Sequence, residues 1–79
     1  MAKRTVRDDQ LSRAENRVLT FVSNVSTEYV GYTHVGLISV MKRSGKPAWL
    51  IQAAIYRMQD NDKAFRRAII DAVDGGHFR

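Results

Sequence analysis

The chain has 79 residues, enough for one domain, and its hydrophobic content of 44% is sufficient for a core and argues against disorder. It has no cysteine, which excludes disulfides and thiolate metal sites. The net charge of +5 and a sequence pI near 10.1 favour nucleic acid, an anionic membrane surface or an acidic protein as partner. No apolar run reaches the roughly 18 residues of a membrane span, and no apolar segment follows the basic N-terminus as in a signal peptide. We therefore expect a cytoplasmic protein without a membrane segment.

Residues 1–8 are predicted to form a flexible arm, which contacts phosphates in some nucleic-acid-binding proteins and is a frayed terminus in others. The bases of this arm are Lys3, Arg4 and Arg7. The first helix is predicted to begin at Asp9 or Ser12, because Ser12 and Glu15 match a capping box, and to end around residues 26–27. Its apolar face is predicted to lie in the core: Leu11, Ala14, Val18, Phe21, Val22 and Val25. Its polar face is predicted to be exposed: Arg13, Asn16, Arg17, Thr20 and Asn24.

Residues 27–33 are predicted to form a loop whose aromatic side chains pack against the core. Thr33 is the expected N-cap of a second helix over residues 34–44, and Gly45 is the left-handed residue that commonly follows a helix. The apolar side of this helix is predicted to consist of Val35, Leu37, Ile38 and Met41.

The third predicted helix has Pro47 at its first position, ends near Met58 and is apolar on almost every side. One stripe is assigned to the core, with Leu50 at its border: Ile51, Ala54, Ile55 and Met58. A second stripe lies on another face: Trp49, Gln52, Ala53 and Tyr56. Such a helix is either the central helix of a bundle or retains one face for an external partner.

Residues 60–62 are predicted to end the third helix and to cap a fourth over residues 63–73. Its inward side chains are predicted to be Phe65, Ala68, Ile69, Ala72 and Val73, with Lys63, Arg66 and Arg67 outward. Gly75 and Gly76 end this helix and leave residues 77–79 as a tail. The predicted fold is therefore all-α: a small bundle of four short helices in one domain, residues 9–76.

The sequence offers little for catalysis or metal binding. The two histidines, His34 and His77, are far apart, and the carboxylates fall at predicted helix ends or exposed positions. A calcium loop beginning at Asp60 would need Gly and Glu where Phe65 and Asp71 stand. We therefore predict no enzymatic activity, no metal, no cofactor and no small-molecule substrate.

Residues 35–57 combine a helix, a turn containing Gly45 and a second helix, with Ile51 and Ala54 at positions suited to burial. In this arrangement the stretch VMKRSGKPAWLIQAAIYRM resembles helix-turn-helix DNA-binding proteins. The resemblance implies that the second helix enters the major groove of duplex DNA, with Gln52 able to contact adenine. The side chains that it places toward the groove are Lys46, Ala48, Trp49, Gln52, Ala53 and Tyr56.

Charge is concentrated in the same region, because residues 42–67 hold seven bases and two acids. Clustered bases contact the phosphate backbone together, which favours nucleic-acid binding. The leading hypothesis is a helix-turn-helix DNA-binding protein that acts as a phage or mobile-element transcriptional regulator and binds as a dimer. The residues expected to bind DNA are Lys42, Arg43, Lys46, Trp49, Gln52, Tyr56, Arg66 and Arg67.

Two alternatives remain open at the level of sequence. In the first, the chain is a protein-interaction module or a phage-type inhibitor that docks a host protein, or its own copy, through Trp49 and Tyr56. Trp, Tyr and Arg are the residues most often found as interface anchors. In the second, the chain is a structural subunit of a helical assembly.

Overall fold

The computed structural model describes residues 6–78, with side chains described from Asp8 onward. These residues form four α-helices and no strand: α1 (Val6–Glu28), α2 (His34–Lys42), α3 (Ala48–Met58) and α4 (Asp62–Asp74). The prediction of an all-α fold of four helices around one core is confirmed. Within this range, no helix has both the length and the apolar character that crossing a membrane requires.

α1 begins at Val6, so Ser12 lies inside the helix and the predicted capping box is wrong. Nothing upstream of Ser12 stops a helix, because that stretch lacks Gly and Pro and because Asp8 and Asp9 suit the positive end of the helix dipole. The end of the predicted arm is therefore helical, whereas residues 1–5, with Lys3 and Arg4, lie outside the described residues.

The predicted faces of α1 are confirmed. Its apolar side chains are buried in the core or half-buried against it, and its polar side chains are exposed. The buried residues are Ala14, Val18, Phe21 and Val25.

Side chains at the helix starts explain where α2 and α4 begin. Thr33 Oγ1 accepts a hydrogen bond from the N–H of Gly36 at 3.1 Å, which confirms Thr33 as the N-cap of α2. Asn61 caps α4 in the same way. Gly45 lies in the left-handed region as predicted, with φ +79°. Pro47 is the residue before α3 and not its first helical residue, which shifts the predicted start by one position.

α3 is the central helix of the bundle, because it packs against α1, α2 and α4. α1 also packs against the other three helices, whereas α2 and α4 do not contact each other within the described chain. The core lies around this α1–α3 pair, and α2 and α4 each add side chains to it. The buried residues outside α1 are Met41, Leu50, Ala53, Ala54, Phe65, Ile69, Ala72 and Val73. The apolar character of α3 on every side is thus explained first by its central position.

Three apolar side chains do not lie where the sequence placed them. Ala53 is fully buried, although the helix-turn-helix resemblance put it on the DNA-reading face. Val35 is 73% exposed, because α2 turns its other side, with Leu37, Val40 and Met41, toward the core. Tyr32 is 53% exposed and only Tyr29 of the two loop tyrosines packs against the core. At the other end of the chain, Phe78 packs against the core from the predicted tail.

Candidate nucleic-acid interface

A groove of about 890 Å³ runs between the polar face of α1 and the turn that joins α2 to α3. We name it the α1/turn groove. One wall is the polar face of α1: Arg13, Asn16, Arg17, Thr20 and Asn24. The other wall includes Arg43, Ser44 and Lys46. The buried side chains of Phe21, Val25 and Leu50 also line the groove, so its base is the apolar core itself.

Backbone and side-chain hydrogen bonds fix the turn that forms the second wall. The Ser44 hydroxyl donates to the carbonyl of Met41 at 2.7 Å and accepts from the N–H of Lys46 at 3.4 Å. Gly45 supplies the positive φ that this reversal requires. Arg43 precedes Ser44 and Lys46 follows Gly45, and the fixed turn brings both bases to the groove.

Positive charge is concentrated in the α1/turn groove. The bases that line it are Arg13, Arg17, Arg43 and Lys46. Glu28 is the only acid among its described lining residues, which leaves a net charge of +3. The ion pairs described elsewhere, Arg57–Asp62 at 3.9 Å and Arg67–Asp71 at 3.7 Å, involve none of these four bases. These four bases meet little competition from carboxylates, although Arg17 also lies over two aromatic rings.

Two tyrosines close one end of this groove. The rings of Tyr29 and Tyr32 meet edge to face, with centroids 5.0 Å apart and planes at 67°. Hydrogen bonding to the Glu28 carboxylate, and the negative charge of that group, raise the pKa of the Tyr29 hydroxyl above its ordinary value. This end of the groove combines aromatic surface with the positive charge of Arg43.

A second groove, of about 530 Å³, lies between α3 and α4. We name it the α3/α4 groove. Trp49, Gln52 and Tyr56 line it from α3, and the Gln52 amide donates to the Tyr56 hydroxyl at 3.1 Å. Its charged lining residues Arg67 and Asp71 pair with each other, so the groove offers little net charge.

Arg17 joins the two grooves. Its guanidinium carbon lies 6.0 Å from the ring centroids of both Trp49 and Phe78, a cation–π arrangement. The two rings meet edge to face at 5.7 Å and 87°. Phe78 therefore covers part of Trp49, which is half-buried instead of presented to solvent.

α3 buries more than the side that the helix-turn-helix resemblance implies. The resemblance requires Ile51 and Ala54 inward and Ala53 outward, whereas Leu50, Ala53 and Ala54 are the buried residues and Ile51 is half-buried. Ile51, Ile55 and Met58 still pack against the core, so the buried side of α3 is wider than predicted and extends onto Ala53. The side that would read bases is therefore partly turned into the core.

The eight residues predicted to bind DNA are distributed over three grooves and the exposed surface beside them. Arg43 and Lys46 line the α1/turn groove, and Lys42 is exposed outside the grooves described. Four line the α3/α4 groove: Trp49, Gln52, Tyr56 and Arg67. Arg66 lines a third groove, between α1 and α4, where the acids Glu15 and Asp62 balance it and Arg57. The structure thus divides the predicted set among separate sites.

Sequence reasoning missed the contribution of α1 to the candidate interface. Arg13 and Arg17 were predicted to be exposed but were not assigned to binding. A signal for them was present, because the polar face from Arg13 to Asn24 contains no acid, and Glu15 faces the α1/α4 groove instead. What the sequence lacked was the position of the turn, which brings Arg43 and Lys46 opposite this face.

Within residues 6–78, no group of three or more His, Cys, Asp or Glu side chains is placed to hold a metal ion. Comparison of the chain with protein-family models, with curated proteins and with solved structures gives no significant match.

Proposed function

We propose that this protein binds nucleic acid and that the α1/turn groove supplies its contacts to the phosphate backbone. The observation that carries the proposal is the distribution of charge. The α1/turn groove holds +3, whereas the bases of the other two grooves are balanced by acids. Because backbone binding grows with the number of bases that contact phosphates together, the α1/turn groove is the best site for it.

Nucleic acid is the ligand here, as in the sequence-based hypothesis, but its contacts are placed on the α1/turn groove instead of on α3. Duplex DNA was predicted from the likeness of residues 35–57 to a helix-turn-helix, with α3 as the reading helix. Burial of Ala53 and the cover of Phe78 over Trp49 leave α3 a narrow outer side. The polar face of α1 offers hydrogen-bonding side chains beside its arginines, including Asn16 and Asn24, and all of them are exposed.

Two pairs of substitutions test the position of the contacts, and each pair removes the same number of positive charges. Arg43→Gln with Lys46→Gln removes two charges from the α1/turn groove, and Arg66→Gln with Arg67→Gln removes two from α4. Affinity is measured by fluorescence anisotropy with labelled DNA over a series of salt concentrations. All four side chains are exposed, so both variants should fold, which circular dichroism verifies.

We expect the first pair to weaken binding about tenfold or more and to reduce the slope of log affinity against log salt by about 2, because two phosphate contacts are lost. The second pair should weaken binding by less than about threefold, since it changes only the screened long-range field. Equal losses from the two pairs would place the contacts elsewhere. No binding by the unmodified protein at low salt would refute the proposal.

A second candidate function is self-association or protein binding through the corner between α1 and α2. Its observation is the exposure of three large apolar side chains, Val30 at 79%, Tyr32 at 53% and Val35 at 73%. This corner replaces the Trp49–Tyr56 face that the sequence suggested for a protein partner. Sedimentation velocity over a range of concentrations should detect a dimer that Val30→Ser with Val35→Ser disrupts. A protein that remains monomeric throughout would rule out self-association through this corner.

A further inference from the structure

The tyrosines at the end of the α1/turn groove indicate which form of nucleic acid it accepts. Tyr32 is 53% exposed, and its neighbours nevertheless hold its ring in place. The Tyr29 ring meets it edge to face, and the N–H of Tyr32 donates to the carbonyl of Tyr29 at 3.1 Å. Tyr29 itself packs against the core, so it anchors its neighbour.

α2 supports the Tyr32 ring from a second side. A Cβ built on Gly36 would lie 3.2 Å from Cδ2 of Tyr32, closer than ordinary van der Waals contact. The glycine therefore lets the ring pack against the first turn of α2. Tyr32 is a preorganised aromatic surface, braced by Tyr29 and by α2, and it lines the same groove as Arg43 and Lys46.

We propose that the α1/turn groove binds a single-stranded segment of nucleic acid, with one unpaired base stacked on Tyr32 and the backbone along Arg43, Lys46 and Arg17. This inference rests on the proposed function. Stacking on a side chain requires a free base face, which the paired and stacked bases of a duplex do not offer. Aromatic rings beside a basic groove are the combination that single-strand binding uses, because the rings hold bases while the cations follow the phosphates.

The test compares a labelled single strand with the same strand annealed to its complement, by fluorescence anisotropy at matched salt. Tyr32→Ala removes the ring and Tyr32→Phe retains it. Val30→Ala is the matched control, because Val30 is exposed at the same corner but does not line the groove.

We expect the unmodified protein to bind the single strand more tightly than the duplex. Tyr32→Ala should weaken single-strand binding about fivefold or more, the loss of one stacked base, and leave duplex binding and the salt slope unchanged. Tyr32→Phe and Val30→Ala should bind as the unmodified protein does.

The two proposals fail in different ways. Duplex binding equal to or tighter than single-strand binding, together with no effect of Tyr32→Ala, would overturn the single-strand inference. If Arg43→Gln with Lys46→Gln still weakened binding in that case, the proposed function would stand. Absence of binding to either ligand at low salt would overturn both.

Discussion

The α1/turn groove and the α3/α4 groove lie on two sides of α3, and they differ in net charge and in the exposure of their aromatic side chains. The first has four bases against one acid, and the second has an arginine paired with an aspartate. The first retains an exposed, braced tyrosine, whereas the tryptophan of the second is partly covered by Phe78. The sequence-based hypothesis placed DNA against the outer face of α3, which lines the second groove, and counted Arg43 and Lys46 of the first groove among its phosphate contacts.

The difference shows how small side chains decide which side of a short apolar helix is buried. In an apolar helix, several rotations bury a similar amount of hydrophobic surface, and the small residues decide which side other helices can approach closely. Ala53 and Ala54 are both fully buried, so the adjacent alanines mark the close approach to α3. Trp49 and Tyr56 are then half-buried at the edge of this contact. Their aromatic rings are therefore explained first by packing.

The largest expected effect comes from placing a charge on the buried side of α3. Ala53→Glu introduces a carboxylate into the core and should lower the free energy of unfolding by about 3 kcal/mol or more, because a buried charge lacks both water and a partner. In a chain of this size that loss leaves little folded protein. Urea unfolding followed by circular dichroism measures it.

Ala48→Glu is the control for Ala53→Glu, since Ala48 is exposed in the first turn of α3, where a negative charge is favourable. Its effect on the free energy of unfolding should stay within about 0.5 kcal/mol. If Ala53→Glu were tolerated as well as Ala48→Glu, Ala53 would face solvent and the helix-turn-helix orientation of α3 would be restored.

The comparison of sequence and structure follows the same division. The core faces of α1 and α4 were predictable because each helix has one apolar side and one polar side, so periodicity determines its rotation. The caps Thr33 and Asn61 were predictable because their side chains bond to the N–H groups of their own helices. Both features are local to a single element.

The rotation of α3 and the α1/turn groove were not predictable in this way. α3 is apolar on all sides, so periodicity leaves its rotation undetermined and only the packing of three neighbours selects it. The groove joins residues 13–24 to residues 43–46, and that distance in sequence is closed by tertiary packing alone. The helix-turn-helix resemblance is centred on the turn between α2 and α3. It therefore identified Arg43 and Lys46 but gave no information about the side of the groove that α1 forms.

An intermediate effect is expected at the contact that covers Trp49. Phe78→Ala should lower the free energy of unfolding by about 1–2 kcal/mol, because it removes an edge-to-face ring pair and part of the apolar contact. Trp49 emission should shift to longer wavelength as its ring gains water. His77→Ala is the control, since His77 is exposed, and it should change neither quantity. Unchanged emission in Phe78→Ala would mean that Phe78 does not cover Trp49.

The smallest expected effect tests directly which groove makes the contacts. Gln52 is exposed on α3, and its amide already donates to the Tyr56 hydroxyl at 3.1 Å. If the α1/turn groove carries binding, Gln52→Ala should change the affinity for nucleic acid by less than about twofold and stability by less than about 0.5 kcal/mol, as at other exposed positions.

A role of Gln52 in reading bases would give Gln52→Ala an effect on affinity of a defined size. If Gln52 read adenine from the major groove, its loss would remove about 1–3 kcal/mol of discrimination, which is a fivefold or larger change confined to particular sequences. Measuring the variant against a panel of duplexes that differ at single base pairs separates the two cases. A uniform panel is the result expected if binding uses backbone contacts and not base reading by Gln52, because phosphate contacts carry no direct sequence information. A single duplex that loses affinity would return α3 to the role of reading helix.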